Sequence, residues 1–215
     1  MEGVGVTALE RIAHFKNRRD ELPNQELARD LASRHDRDGI CEIAENLWNK
    51  NKGIQADCLK VLYEVGYIDP ALIDDYAEDF VRLLHSRNNR LVWGAMIALG
   101  TIADLKPQVV VAHLDEIKST MEKGSVITID NGVQVLARAA SKSEKYSREI
   151  VPYLLEHLRT CRPKDVAQHA EKSLPAMNAT NKSRFIKVLD LRMEDLSGPA
   201  LARVKKVVKA AEALQ

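Results

Sequence analysis

Apolar residues recur at intervals of three and four along almost the whole chain, as in Ile43 and Leu47, Leu59 and Leu62, Phe80 and Leu84, and Leu154 and Leu158. That spacing returns side chains to one stripe of an α-helix, so the pattern predicts a protein built from amphipathic helices. Alternation of the strand kind is nearly absent. The one competitor, Gly124 to Ile129, is rich in β-branched residues but isolated, and a lone strand has nothing to pair with. It reads as a loop leading into a helix.

The stripes themselves repeat. Ile43, Phe80, Ile117 and Leu154 form a column in which each residue follows the last by 37. Leu47, Leu84, Met121 and Leu158 form a second column at the same interval, and Leu62, Leu99, Leu136 and Leu174 a third, spaced 37, 37 and 38. A single helix pair of this length cannot bury its apolar face alone and has to stack on copies of itself. Each unit then contributes an A helix (near 38–49, 71–86, 109–123 and 147–160) and a B helix (near 54–66, 89–104, 126–141 and 165–178). Asp69 and Pro70 fit a helix cap followed by proline at the first helical position, and Lys106 and Pro107 mark a turn. Cys58, Ala95, Gly132 and Ala170, four before the leucines, are all small, which suits close approach of a B helix to the next repeat.

Two segments flank the four pairs. Val6 to Asn17 and Pro23 to Ser33 read as N-terminal capping helices within 1–37, and Ser183 to Met193 and Pro199 to Leu214 as a final pair within 179–215, with Ser197 as its N-cap. Terminal units of a stacked array are atypical because one face meets water. The expected fold class is all-α: a right-handed α-α superhelix forming one solenoid domain over 1–215, with four helix pairs across 38–178.

Two stretches carry a family resemblance. Arg148-Glu-Ile-Val-Pro-Tyr-Leu-Leu-Glu-His-Leu158 resembles the A helix of a HEAT repeat, including its proline, and Ala95-Met-Ile-Ala-Leu-Gly-Thr-Ile-Ala103 resembles the B helix. The likeness covers roughly 38–178. It departs from the family in lacking the Asp and Arg ladder, since Trp93 and Ala167 stand where Arg is expected, and a HEAT-like or armadillo-like label fits better than a subfamily. Such proteins usually present a long curved surface to another macromolecule, and rotation between stacked units makes the B-helix side concave.

Composition narrows the partners. Of 215 residues 45% are hydrophobic, enough for a continuous core, and 32 Lys and Arg balance 31 Asp and Glu. No global field therefore recruits nucleic acid or an anionic membrane. The first residues carry neither a basic leader nor an apolar core, and no run approaches membrane-spanning length, so a cytoplasmic protein is expected. Cys41, Cys58 and Cys161 are widely spaced and read as reduced thiols. A phosphate-cradling loop, HExxH, GxSxG and clustered His or Cys are all missing from the sequence, so neither catalysis, nor a cofactor, nor a metal site is expected.

Function is then sought on B-helix positions that the core columns leave free: Arg90, Trp93, Asp130, Asn131, Gln134, Arg138, His169 and Lys172. Trp93, Asp130 and Gln168 are equivalent positions in successive units. Trp93 offers the large amphipathic contact typical of interfaces, or else covers a repeat junction against Tyr63 or Ile97. Asp130 and Asn131 either bind or cap a B helix that starts late. With no second His or Cys at ligand spacing in sequence, His169 reads as a hydrogen-bonding histidine. Asp69, Asp74, Asp75, Glu78 and Asp79 form an acidic stripe, read as a solvated convex face or a second docking patch. The leading expectation is a non-catalytic scaffold that binds a protein partner on its concave face; the alternative is a nucleic-acid-binding HEAT-like protein related to DNA glycosylases.

Overall fold

The structure is a computed structural model and describes residues 6–214. Among these, twelve α-helices follow one another: α1 (Leu22–Arg34), α2 (Arg37–Glu45), α3 (Lys52–Ile68), α4 (Ala77–Leu83), α5 (Asn89–Ile102), α6 (Pro107–Ala112), α7 (Leu114–Lys123), α8 (Val126–Ala140), α9 (Glu144–Thr160), α10 (Pro163–Ser173), α11 (Lys182–Met193) and α12 (Gly198–Glu212). No strand occurs among the described residues. The expected columns are core except at one end: Ile43, Phe80, Ile117, Leu154, Leu47, Leu158, Leu62 and Leu136 are all fully buried, whereas Leu174, which closes the third column, is partly buried in a 3-10 turn after α10.

The helices form two layers. In the B layer α1, α3, α5, α8, α10 and α12 each pack directly on the next, whereas the A elements lie mainly on B helices, α2 on α3, α4 on α5, α6 and α7 on α8, α11 on α12, and α9 chiefly on α8 of the preceding pair. The layer whose helices lie closer together is the inside of a curved stack, so the B side is concave.

Four local expectations change. Val6 to Asn17 holds a single 3-10 turn, Leu9–Arg11, rather than a helix. Side chains of the B layer take its backbone groups instead: Asn24 Oδ1 accepts from the Ala13 N–H and Asp57 Oδ2 from the His14 N–H, both at 2.8 Å. Helix α1 is accordingly the first member of the B layer. The β-branched run is helical from Val126, because Ser125 Oγ accepts from the Thr128 N–H and caps α8. At α12 Ser197 precedes the helix but makes no side-chain cap bond.

At Gly132 the small column does different work from that expected. A Cβ on Gly132 would collide with Met121, so this position faces the A helix of its own pair. The B-to-B approach is made elsewhere, at Gly94, where a Cβ would stand 2.8 Å from Leu59 Cδ2 and 3.8 Å from the Tyr63 ring. Gly66 serves similarly at the far end of α3, where it faces Ile73 and the Thr101 hydroxyl of α5.

On the convex side the acidic stripe is stitched to neighbouring elements. Lys106 Nζ lies 3.4 Å from Asp74 and 3.3 Å from Asp75, Arg82 lies 3.3 Å from Asp79, and His35 lies 3.6 Å from Asp69. His113 bridges Glu78 and Glu116 at 3.0 Å each, and His85 meets Glu116 at 2.9 Å. The hydrogen bond to Glu116, helped by the charge of Glu78, raises the His113 pKa above its ordinary 6.5, and His113 followed by His85 lowers that of Glu116 below 4.5.

Two predictions follow from this packing. Gly66→Ala should destabilise by about 1–3 kcal/mol because the added methyl meets the stiff, β-branched Thr101. In Gly100→Ala the new methyl stays at least 3.7 Å from its neighbours and should be neutral or stabilising, by up to about 1 kcal/mol of helix propensity; denaturant melts of both variants check the pair. The His113 contribution, from a raised pKa, is complete below about pH 6.5 and disappears as pH rises through the folded value; that of Glu116, from a lowered pKa, is present above about pH 4.5 and disappears as pH falls. Thermal melts across that range should therefore show a shallow loss of stability as pH rises beyond about 6.5, no more than about 1 kcal/mol because solvent screens the cluster, which His113→Gln abolishes.

Candidate functional site

The predicted residues separate into two groups. The first is a patch at the centre of the concave face. Trp93 and Ile97, one turn apart on α5, are half-buried against the core. A Cβ on Gly100, the next turn, would lie 3.9 Å from Gln134 Nε2, which places that amide over α5. From α3, Tyr63 and Tyr67 meet edge to face at 6.1 Å. Arg138 closes the patch by donating to the Gly100 carbonyl at 2.7 Å, with Asp104 3.8 Å away. Among the described residues neither the Trp93 indole N–H nor the Gln134 amide has a hydrogen-bond partner, although both residues are partly buried.

Further along the B layer, Arg90 sits at the start of α5 and reaches Glu21 at 3.9 Å. Glu21 also pairs at 2.8 Å with Lys60, a buried lysine that bonds Glu64 at 2.6 Å and sits 4.8 Å over the Tyr63 ring. Asn131 turns inward on its own helix, donating to the Ile127 carbonyl at 2.8 Å.

The second group joins α8 to α10. Asp130 Oδ1 accepts from His169 Nε2 at 2.7 Å, its Oδ2 accepts from Gln168 Nε2 at 3.0 Å, and Lys172 donates to the Asp130 carbonyl at 2.7 Å. Asp130 therefore belongs to an inter-helix lock in the second turn of α8 and caps nothing. His169 is only 1% exposed, so it is not a free surface residue. Burial lowers the Lys172 pKa, against the pull of Asp130.

The expectation that no other His or Cys approaches His169 also fails. His157 Nε2 lies 3.0 Å from His169 Nδ1, and Cys161 Sγ falls within 4.8 Å of both imidazoles. These two residues occupy the last turn of α9 and the position after it, four apart and hence on one face, and the short turn to α10 folds His169 back onto them. The spacing H-x3-C-x7-H across the turn expected between the fourth A and B helices is the signal the sequence carries for this meeting. Burial, then the neighbouring His169, pushes His157 down to about 4, so it is neutral at physiological pH. Burial raises the Cys161 thiol, opposed by Arg192.

Arg192 fixes this corner. Buried on α11, it donates to the Leu158 carbonyl at 2.6 Å and the Cys161 carbonyl at 2.9 Å, satisfying acceptors that the end of α9 leaves open. A cavity of about 340 Å³ opens on the two histidines and the thiol, walled on its other side by Gly124, Val126 and Ile129.

No family model matches the chain, and no curated protein matches it. Solved structures do. A designed armadillo repeat protein in complex with the peptide (KR)4 superposes with a TM-score of 0.65 at 16% identity, covering 95% of this chain and 98% of the other. A second designed armadillo repeat protein gives 0.63 at 13% identity, covering 94% and 99%, and an engineered protein 0.64 at 16%, covering 95% and 96%. At such identities the likeness speaks for fold alone, and by fold this chain is a HEAT/armadillo-like α-solenoid.

Proposed function

We propose that the chain is a non-catalytic scaffold that binds a protein partner on its concave B-helix face, with the patch around Trp93 and Gln134 as the anchor. The observation that carries this reading is the pair of unpartnered polar groups there. A primary amide offers one acceptor and two donors, which matches the donor and acceptor of a peptide group, and an indole combines apolar area with one donor. Flanked by Tyr63, Tyr67 and Ile97 and by the Arg138 guanidinium, they form an amphipathic strip of the composition enriched at protein interfaces. The likeness to a designed armadillo repeat protein that holds a peptide supports the same use of the fold.

The convex acidic stripe is a weaker docking surface, since its carboxylates already have cationic or imidazole neighbours. Nucleic acid is disfavoured for a related reason: the strip carries Arg138 and Lys60 beside Asp104, Glu21 and Glu64, and phosphate binding needs an excess of cations.

The expected result of affinity capture from native lysate is a set of proteins retained by wild type and lost with Trp93→Ala, Gln134→Ala. Against any one purified partner, Trp93→Ala alone should weaken binding by roughly 30-fold or more, the scale of an interface hot spot. Retention of the same partners by the folded double variant, or a mobility shift with DNA or RNA at low salt that the double variant loses, would overturn the proposal.

A further inference from the structure

We infer that His157, Cys161 and His169 form a binding site for a transition-metal ion of the zinc type, with three protein ligands and a fourth position open to the adjoining cavity. The inference is independent of the concave strip. It rests on three features of the corner between α9 and α10.

The first is the donor set and its spacing. His157 Nε2, His169 Nδ1 and Cys161 Sγ converge within 4.8 Å of one another, with the two nitrogens 3.0 Å apart. Tetrahedral zinc, with Zn–N of about 2.0–2.1 Å and Zn–S of about 2.3 Å, requires N···N near 3.3 Å and N···S near 3.6 Å. Small rotations of the half-buried His157 and Cys161 about the buried, anchored His169 reach those values. Two imidazoles and a thiolate select zinc and its neighbours over magnesium or calcium, which take oxygen ligands.

The second feature is the outer support. Asp130 accepts from His169 Nε2, so the ring proton sits there and the Nδ1 lone pair is left facing His157. Asp130 is itself held by Gln168 Nε2, while Lys172 secures its backbone carbonyl. A carboxylate behind a ligating histidine is the arrangement that orients metal ligands and raises their basicity. Arg192 fixes the Leu158 and Cys161 carbonyls, and its guanidinium lies 4.0 Å from Cys161 Sγ, where it favours thiolate.

The third is access. The cavity lined by His157, Cys161 and His169 gives an ion a way in and leaves room for water as the fourth ligand, the pattern of three-ligand zinc sites. Proton balance is simple. Without metal, His157 donates Nε2–H to His169 Nδ1; on binding, that proton is replaced on Nδ1 of the neutral His157 ring, two metal–nitrogen bonds and one metal–sulfur bond form, and the thiol proton is released to solvent.

The test uses the full-length, untagged, reduced protein with Zn²⁺ against a chromophoric chelator and with Co²⁺ followed by absorption. The expected results are one ion per chain, tetrahedral Co²⁺ d–d bands with a thiolate-to-cobalt charge-transfer band, and a higher melting temperature in zinc. Cys161→Ser and His157→Gln should each weaken zinc binding by more than about 100-fold, and Asp130→Asn by about 10–100-fold, the usual effect of an outer partner. Cys41→Ser, far from the site, should bind as wild type. Absence of stoichiometric binding, a cobalt spectrum without the thiolate band in the wild type, or unchanged affinity in folded Cys161→Ser would overturn the inference.

Discussion

Direct packing of each B helix on the next is the contact on which the rest of the molecule depends. A pair of helices in this chain has more apolar surface than the two can cover between themselves, and the uncovered part finds its only apolar neighbour in the adjoining unit. The approach is close because Gly94 and Gly66 carry no side chain where Leu59 and Thr101 press in. From that closeness come the curvature, the concave face, and the distance at which side chains from neighbouring units meet.

The same constraint has opposite outcomes at equivalent positions. In α5 the free position is Trp93, whose indole N–H bonds no other described residue; one unit on it is Asp130, whose carboxylate is consumed by Gln168 and His169. One region of the B layer is thus left open for contact while the next is closed by a polar lock. Closure there aligns a histidine against the end of α9, so the histidine and thiol corner and the concave strip are products of one repeated geometry with different residues in the slots.

Periodicity was legible because stacking imposes it: Ile43, Phe80, Ile117 and Leu154 have to recur for the core to be continuous. Residues outside that constraint were not. Val6 to Asn17 has helical spacing yet folds as a turn, because Asn24 and Asp57 offer its N–H groups partners that a sequence pattern does not reveal. Val126 to Ile129 has β-branched content, but the Ser125 cap and burial of Thr128 outweigh its propensity. Of the residues picked for the concave face, Trp93, Gln134 and Arg138 lie together, whereas His169 is buried. Its partners His157 and Cys161 lie in the last turn of α9 and just beyond it, and they meet His169 only through the angle of the two-residue turn formed by Cys161 and Arg162.

A direction runs along the array. Between units, the backbone groups of an earlier segment are satisfied by side chains of a later one: Glu42 and Asp57 serve Leu9 and His14, Arg138 serves Gly100, Lys172 serves Asp130, and Arg192 serves Leu158 and Cys161. Each such group, once orphaned in the interior, costs about 1–3 kcal/mol. Fraying from the two ends is therefore unequal. Loss of the last units strips the carbonyls of those before them, while loss of the first leaves only side chains that water can solvate. At four of its junctions the stack behaves as a row in which a unit leans on its successor, and there its integrity is guarded from the carboxyl-terminal side.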